Sequence, residues 1–77
     1  MTNPIVFTQG QLDAIRAAAQ STGATHTWVR RVDIIVHFST SGARDSFTTA
    51  ISGIAKIAYH DQVHSGGAYC KLITPTA

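Results

Sequence analysis

Leu12, Ile15, Ala18 and Ala19, with Thr22 extending the series, recur at steps of three and four, the spacing that lines one face of an α-helix. The start of that helix is written just upstream. Thr8-Gln9-Gly10-Gln11 spells a capping box, in which the Thr8 hydroxyl accepts from the Gln11 amide and the Gln11 side chain reaches back to the Thr8 amide. Phe7 and Leu12 fall at the hydrophobic-staple positions, and Gly23 supplies a left-handed stop. Before the cap, Pro4 to Phe7 predicts a short extended lead, because Ile5-Val6-Phe7 are strand formers and proline is tolerated at the start of an edge strand.

From Thr25 to Thr40 the pattern changes to β-branched and aromatic residues, too many for one ordinary strand. The polar interruption Arg30-Arg31-Val32-Asp33 predicts two strands joined by a tight turn. With no Gly or Asn there to favour the turn, a single long bulged strand is the alternative. Alternation directs Val32, Ile34, Val36 and Phe38 toward the helices and turns Asp33, Ile35 and His37 outward. Trp28 fits either face, in the core with His26 or outward.

Ser39-Thr40-Ser41-Gly42 offers N-cap candidates, and Phe47, Ala50, Ile51, Ile54, Ile57 and Ala58 trace a second apolar stripe. This predicts a helix ending near Tyr59 to His64. Gly66-Gly67 breaks the chain, and Ala68 to Thr74 reads as a last strand closed by Pro75, with Tyr69 and Lys71 exposed if Cys70 and Leu72 lie inside. The resulting order, βαββαβ, resembles the split βαβ arrangement of the ferredoxin-like sandwich, an α+β fold with two helices on one face of an antiparallel sheet. Without the first strand the order becomes αββαβ. Either version is a two-layer sandwich with one sheet face left open.

The chain has 77 residues, 44% apolar and 13% charged, which predicts a single domain over 1–77 with a small core. Six Lys/Arg against four acidic residues give a net charge of +2, a mild excess that permits a nucleic-acid partner without arguing for one. Low charge density implies a hydroxyl-rich surface suited to self-association or docking on another protein. The lone cysteine, Cys70, closes no intrachain disulfide and reads as a buried structural thiol in a reducing compartment. The N-terminal residues lack the pattern of a secretory signal, and no apolar run reaches the roughly 18 residues of a membrane span, so the expectation is a cytoplasmic protein.

Candidate chemistry is sparse. His60-Asp61-Gln62-Val63-His64 puts two imidazoles four residues apart, which on a helix resembles the zinc-protease motif, except that Asp61 stands where a glutamate base is required. Two ligands do not hold a metal, so neither metal nor cofactor is expected. A metal-dependent enzyme using His60 and His64 ranks third among the functional readings. Ser41, Gly42 and Arg44, at a strand-to-helix turn, form a weak anion-site candidate without the second glycine and lysine of a phosphate loop. Arg30, Arg31, Arg44, Lys56 and Lys71, with Trp28 and Tyr69 to stack bases, are the residues a nucleic acid would use. RNA-binding domains share the βαββαβ order, but their aromatic signature is absent from Asp33 to Phe38. No nucleophile elbow supports a hydrolase, and the chain is expected not to be an enzyme.

These features favour a recognition module that docks a protein, or a second copy of itself as a homodimer, by its open sheet face or edge. Trp28, Arg30, Arg31, Ile35, His37, Tyr69 and Lys71 would make that contact. Small stand-alone proteins of this kind serve in bacterial and phage genomes as adaptors or inhibitors, including anti-defence inhibitors, an analogy of size and class alone. A nucleic-acid binder using the same face is the alternative.

Overall fold

A computed structural model describes residues 5–63 and 69–77. Six elements run in the order α1 (Gln9–Ser21), β1 (His26–Val29), β2 (Ile34–Phe38), α2 (Ser41–Ile51), β3 (Ile57–Val63) and β4 (Tyr69–Pro75). The strands form one antiparallel sheet in the order β1-β2-β4-β3. This is a small α+β protein, and its order αββαββ departs from the ferredoxin-like one at both ends.

The first helix forms as its cap dictates. Thr8 and Gln11 make both bonds of the capping box, at 3.1 and 2.9 Å, and Gly23 ends the run at φ 80°. The Gln11 side chain also donates to the Ala55 carbonyl, fastening the start of α1 to the loop after α2. Residues 5–8 form no strand. Phe7 is nonetheless buried, with its amide donating to the Arg31 carbonyl at 2.9 Å, so the lead is held by one apolar anchor rather than a ladder.

The second helix stops at Ile51, short of the predicted end near Tyr59 to His64. Ser52 and Gly53 leave the helix, Lys56 adopts a left-handed φ of 61°, and the chain re-enters the sheet as β3. Ile54, Ile57 and Ala58 fit a helical stripe, but Ile57 and Tyr59 equally fit an alternating strand, and pairing with β4 satisfies their backbone groups.

Residues 25–40 form two strands joined by a turn at Arg30 to Asp33, closed by a bidentate Arg30–Asp33 ion pair with bonds of 2.6 and 2.5 Å. Val32, expected inside, lies in that turn and is 46% exposed. Ile34, Val36 and Phe38 do face the helices and are fully buried, and the Phe38 and Phe47 rings meet at 5.3 Å. With Ile15, Ala18, Ala19, Ile51 and Ile73 they make up the core.

Candidate functional site

Directly paired residues on neighbouring strands share a sheet face, so the register defines each face as a set of rows across the sheet. On the helix-covered side these are Thr27–Val36–Lys71–Asp61 and Val29–Ile34–Ile73–Tyr59, followed by Phe38–Tyr69. On the opposite side, which no described helix covers, they are His26–His37–Cys70–Gln62, Trp28–Ile35–Leu72–His60 and Thr74–Ala58.

This corrects the expected face of β4. Tyr69 and Lys71 lie on the helix side, while Cys70 and Leu72 lie on the open side. Cys70 is fully buried yet absent from the core cluster, because it sits mid-face between His37 and Gln62. Burial pushes its thiol pKa up, so the neutral form predominates at physiological pH.

Of the proposed docking residues, Trp28, Ile35 and His37 come together on the open face. Trp28 is 52% exposed, stacked on His26 with ring centroids 5.5 Å apart and edge-on to His37 at 4.5 Å. Such flanking rings restrict the indole and leave part of its surface available for contact. Arg30 and Arg31 are exposed beside this face at the β1–β2 turn, Arg30 being paired with Asp33. The rows themselves contain no Lys, Arg, Asp or Glu among the described residues. Ala58, His60, Gln62, Cys70, Leu72 and Thr74 are the members that sequence reasoning missed, because it read β3 as helix and β4 in the opposite register, while His26 was left open with the face of β1.

The remaining candidates separate. Lys71 is only 4% exposed, with its ammonium 2.5 Å from Asp61 Oδ1 and 5.1 Å from the Tyr59 ring centroid. That hydrogen bond, assisted by the charges of Lys71 and Arg44, holds the Asp61 carboxyl below the ordinary aspartate range against the opposing effect of burial. Arg44 points back over Tyr69, 5.3 Å from the ring centroid, and reaches Asp61 Oδ2 at 3.6 Å and Asp45 Oδ1 at 3.7 Å. Its Nε is buried without a hydrogen-bond partner among the described residues. Ser41 and Gly42 open α2, with Thr40 as the cap accepting from the Ala43 amide at 3.1 Å, and the contacts of Arg44 with Tyr69 and Asp61 brace α2 against the sheet.

His60 lies on β3 on the open side, which removes the helical spacing on which the two-histidine reading rested. His64 lies outside the described residues, and among those described no three His, Cys, Asp or Glu are grouped to hold a metal ion. Among the described residues no helix is long and apolar enough to cross a membrane.

Fold and face together define a small α+β protein with a four-stranded antiparallel sheet, one face of which no helix among the described residues covers. Comparison with protein-family models, curated proteins and solved structures finds no match for this chain.

Proposed function

We propose that this protein is a non-enzymatic recognition module that docks a protein partner through its open sheet face, acting by occlusion as an adaptor or inhibitor of a larger assembly. One observation carries the reading: a sheet face that no helix among the described residues covers, built around a half-exposed Trp28 beside Ile35 and Leu72, with no Lys, Arg, Asp or Glu in its rows. A few residues, chiefly Trp, Tyr and Arg, carry most of the energy of protein contacts, whereas a nucleic acid requires cations facing its phosphates. Here Arg30 and Arg31 stand at one end of the face, while Lys71 and Arg44 are on the helix side. The arrangement therefore favours a protein over a nucleic acid, with the two exposed arginines orienting the partner.

The test is affinity capture from cell lysate with wild-type protein and Ile35→Asp, each with and without nuclease. Ile35 is only half-buried, so the variant is expected to fold, and circular dichroism checks that it does. A protein retained by the wild type after nuclease and lost from Ile35→Asp supports the reading. Equal capture by a folded Ile35→Asp removes the open face as the docking site, and capture that nuclease abolishes replaces the protein partner with a nucleic acid. Sedimentation of the purified protein shows whether a second copy is the partner.

A further inference from the structure

Between α1 and β1, on the helix side and away from the open face, lies a cleft of about 490 Å³ lined by Arg16, Ala19, Gln20, Ala24, Thr27 and Val29. Two separate features of β1 converge there. The first is its backbone. Among the described residues β1 is an edge strand, and the Arg30 amide turns inward to the Asp33 carbonyl at 2.9 Å in the same register that pairs Trp28 with Ile35. The alternation of an antiparallel ladder then aims the amides and carbonyls of Thr27 and Val29 away from β2, toward the open edge. The second is its side chains: Thr27 and Val29 point to the helix side and line the cleft.

An extended segment pairing with that edge would use the outward groups of Thr27 and Val29. Its residues opposite them would project onto the same side, into the space that the small side chains Ala19 and Ala24 leave beside α1. Arg16 is the only formally charged residue in the lining, and it has no ion-pair partner among the described residues. Gln20 and Thr27 add neutral hydrogen-bonding groups, and no acid among the described residues lines the cleft.

We infer that the β1 edge and the α1–β1 cleft form a binding site for an extended acidic peptide, which adds a strand to the sheet and sets an Asp or Glu side chain against Arg16. The backbone pairing supplies affinity for any extended chain, and the cleft selects small or branched residues at alternate positions with one carboxylate among them. This site is independent of the open face.

Selection from a displayed library of random linear octapeptides, followed by amide NMR mapping of an enriched peptide, tests it. The expected peptides carry Asp or Glu with small or β-branched neighbours two positions away, and they shift the amide resonances of Thr27 and Val29. Arg16→Glu, on an exposed position of α1, should weaken binding roughly tenfold or more, the scale of one charge-assisted hydrogen bond. Thr27→Pro removes an amide that the β1–β2 ladder does not use and should abolish binding, while Ile35→Asp should bind as the wild type does. Failure to enrich any peptide, enrichment without acidic preference, or shifts centred on Trp28 and Ile35 would overturn the assignment. The last outcome would leave the open-face reading standing, and the loss of open-face docking would leave this one untouched.

Discussion

Lys71 is buried on the helix side of the sheet, and Asp61 and the Tyr59 ring are what make its position tolerable. Removing one member of such a pair costs far more than replacing the buried cation by an apolar chain of similar length. Asp61 is half exposed, so water screens part of the loss, and Asp61→Asn should lower stability by about 1 kcal/mol, whereas Lys71→Met should be near neutral, as read by urea unfolding of the two variants. The pH dependence follows from the same contact. Asp61 and Asp33 both have folded pKa values below the ordinary 3.8, so the unfolded chain takes up protons first on acidification. Their contribution is complete above that value and is lost as the pH falls through it toward the depressed folded values. Thermal unfolding should show this acid limb in the wild type and a shallower one in Asp61→Asn. The sequence points Lys71 outward for a sound reason, since a lone ammonium is costly to bury. Its counter-charge stood on a segment that reads as helix, so the compensation was invisible.

At the level of elements, the turn from α2 into β3 contains the clearest local strain, with Lys56 at φ 61°. A side chain in that region carries a penalty that glycine escapes, so Lys56→Gly should raise stability by about 0.5–1 kcal/mol, measured as a higher urea midpoint at unchanged slope. Elements with their own punctuation were legible from the chain: the capping box and Gly23 bracket α1, and the alternation of Ile34, Val36 and Phe38 marks β2 and its buried face. What was not legible is where competing periods coincide. Ile54, Ile57 and Ala58 satisfy a helical step, and only the ladder with β4, which begins at Ile57, decides for strand. The lead fails in the opposite way: Ile5-Val6-Phe7 have strand propensity, but residues 5–8 pair with no strand, and Pro4 lies outside the described residues. Only the centre of the candidate face was readable, because Ile35 and His37 follow from β2 alone. The other half depended on the register of β4, which Tyr69-Cys70-Lys71-Leu72-Ile73 leaves ambiguous until Ile73 is seen to pair with Ile34.

For the molecule as a whole, a single cluster beneath two short helices supplies the apolar stabilisation, with Phe47 of α2 against Phe38 of β2 near its middle. Deleting a buried phenyl ring costs about 3–5 kcal/mol, close to the whole stability of so small a domain. Phe47→Ala should thus lose the cooperative thermal transition seen by circular dichroism, while substitutions on the open face should keep it. The sheet order has a further consequence for how the protein is made. β4 lies between β2 and β3 although it follows both along the chain. As the polypeptide leaves the ribosome, the β1–β2 hairpin can close early, but β3 emerges with no strand to join and β2 waits with one side bare. Every nascent chain therefore passes through a stage in which five of the six elements are outside and the sheet cannot yet close. Until β4 emerges, apolar strand edges lie open to chaperones and proteases, and folding is completed only when that last strand slots between its neighbours.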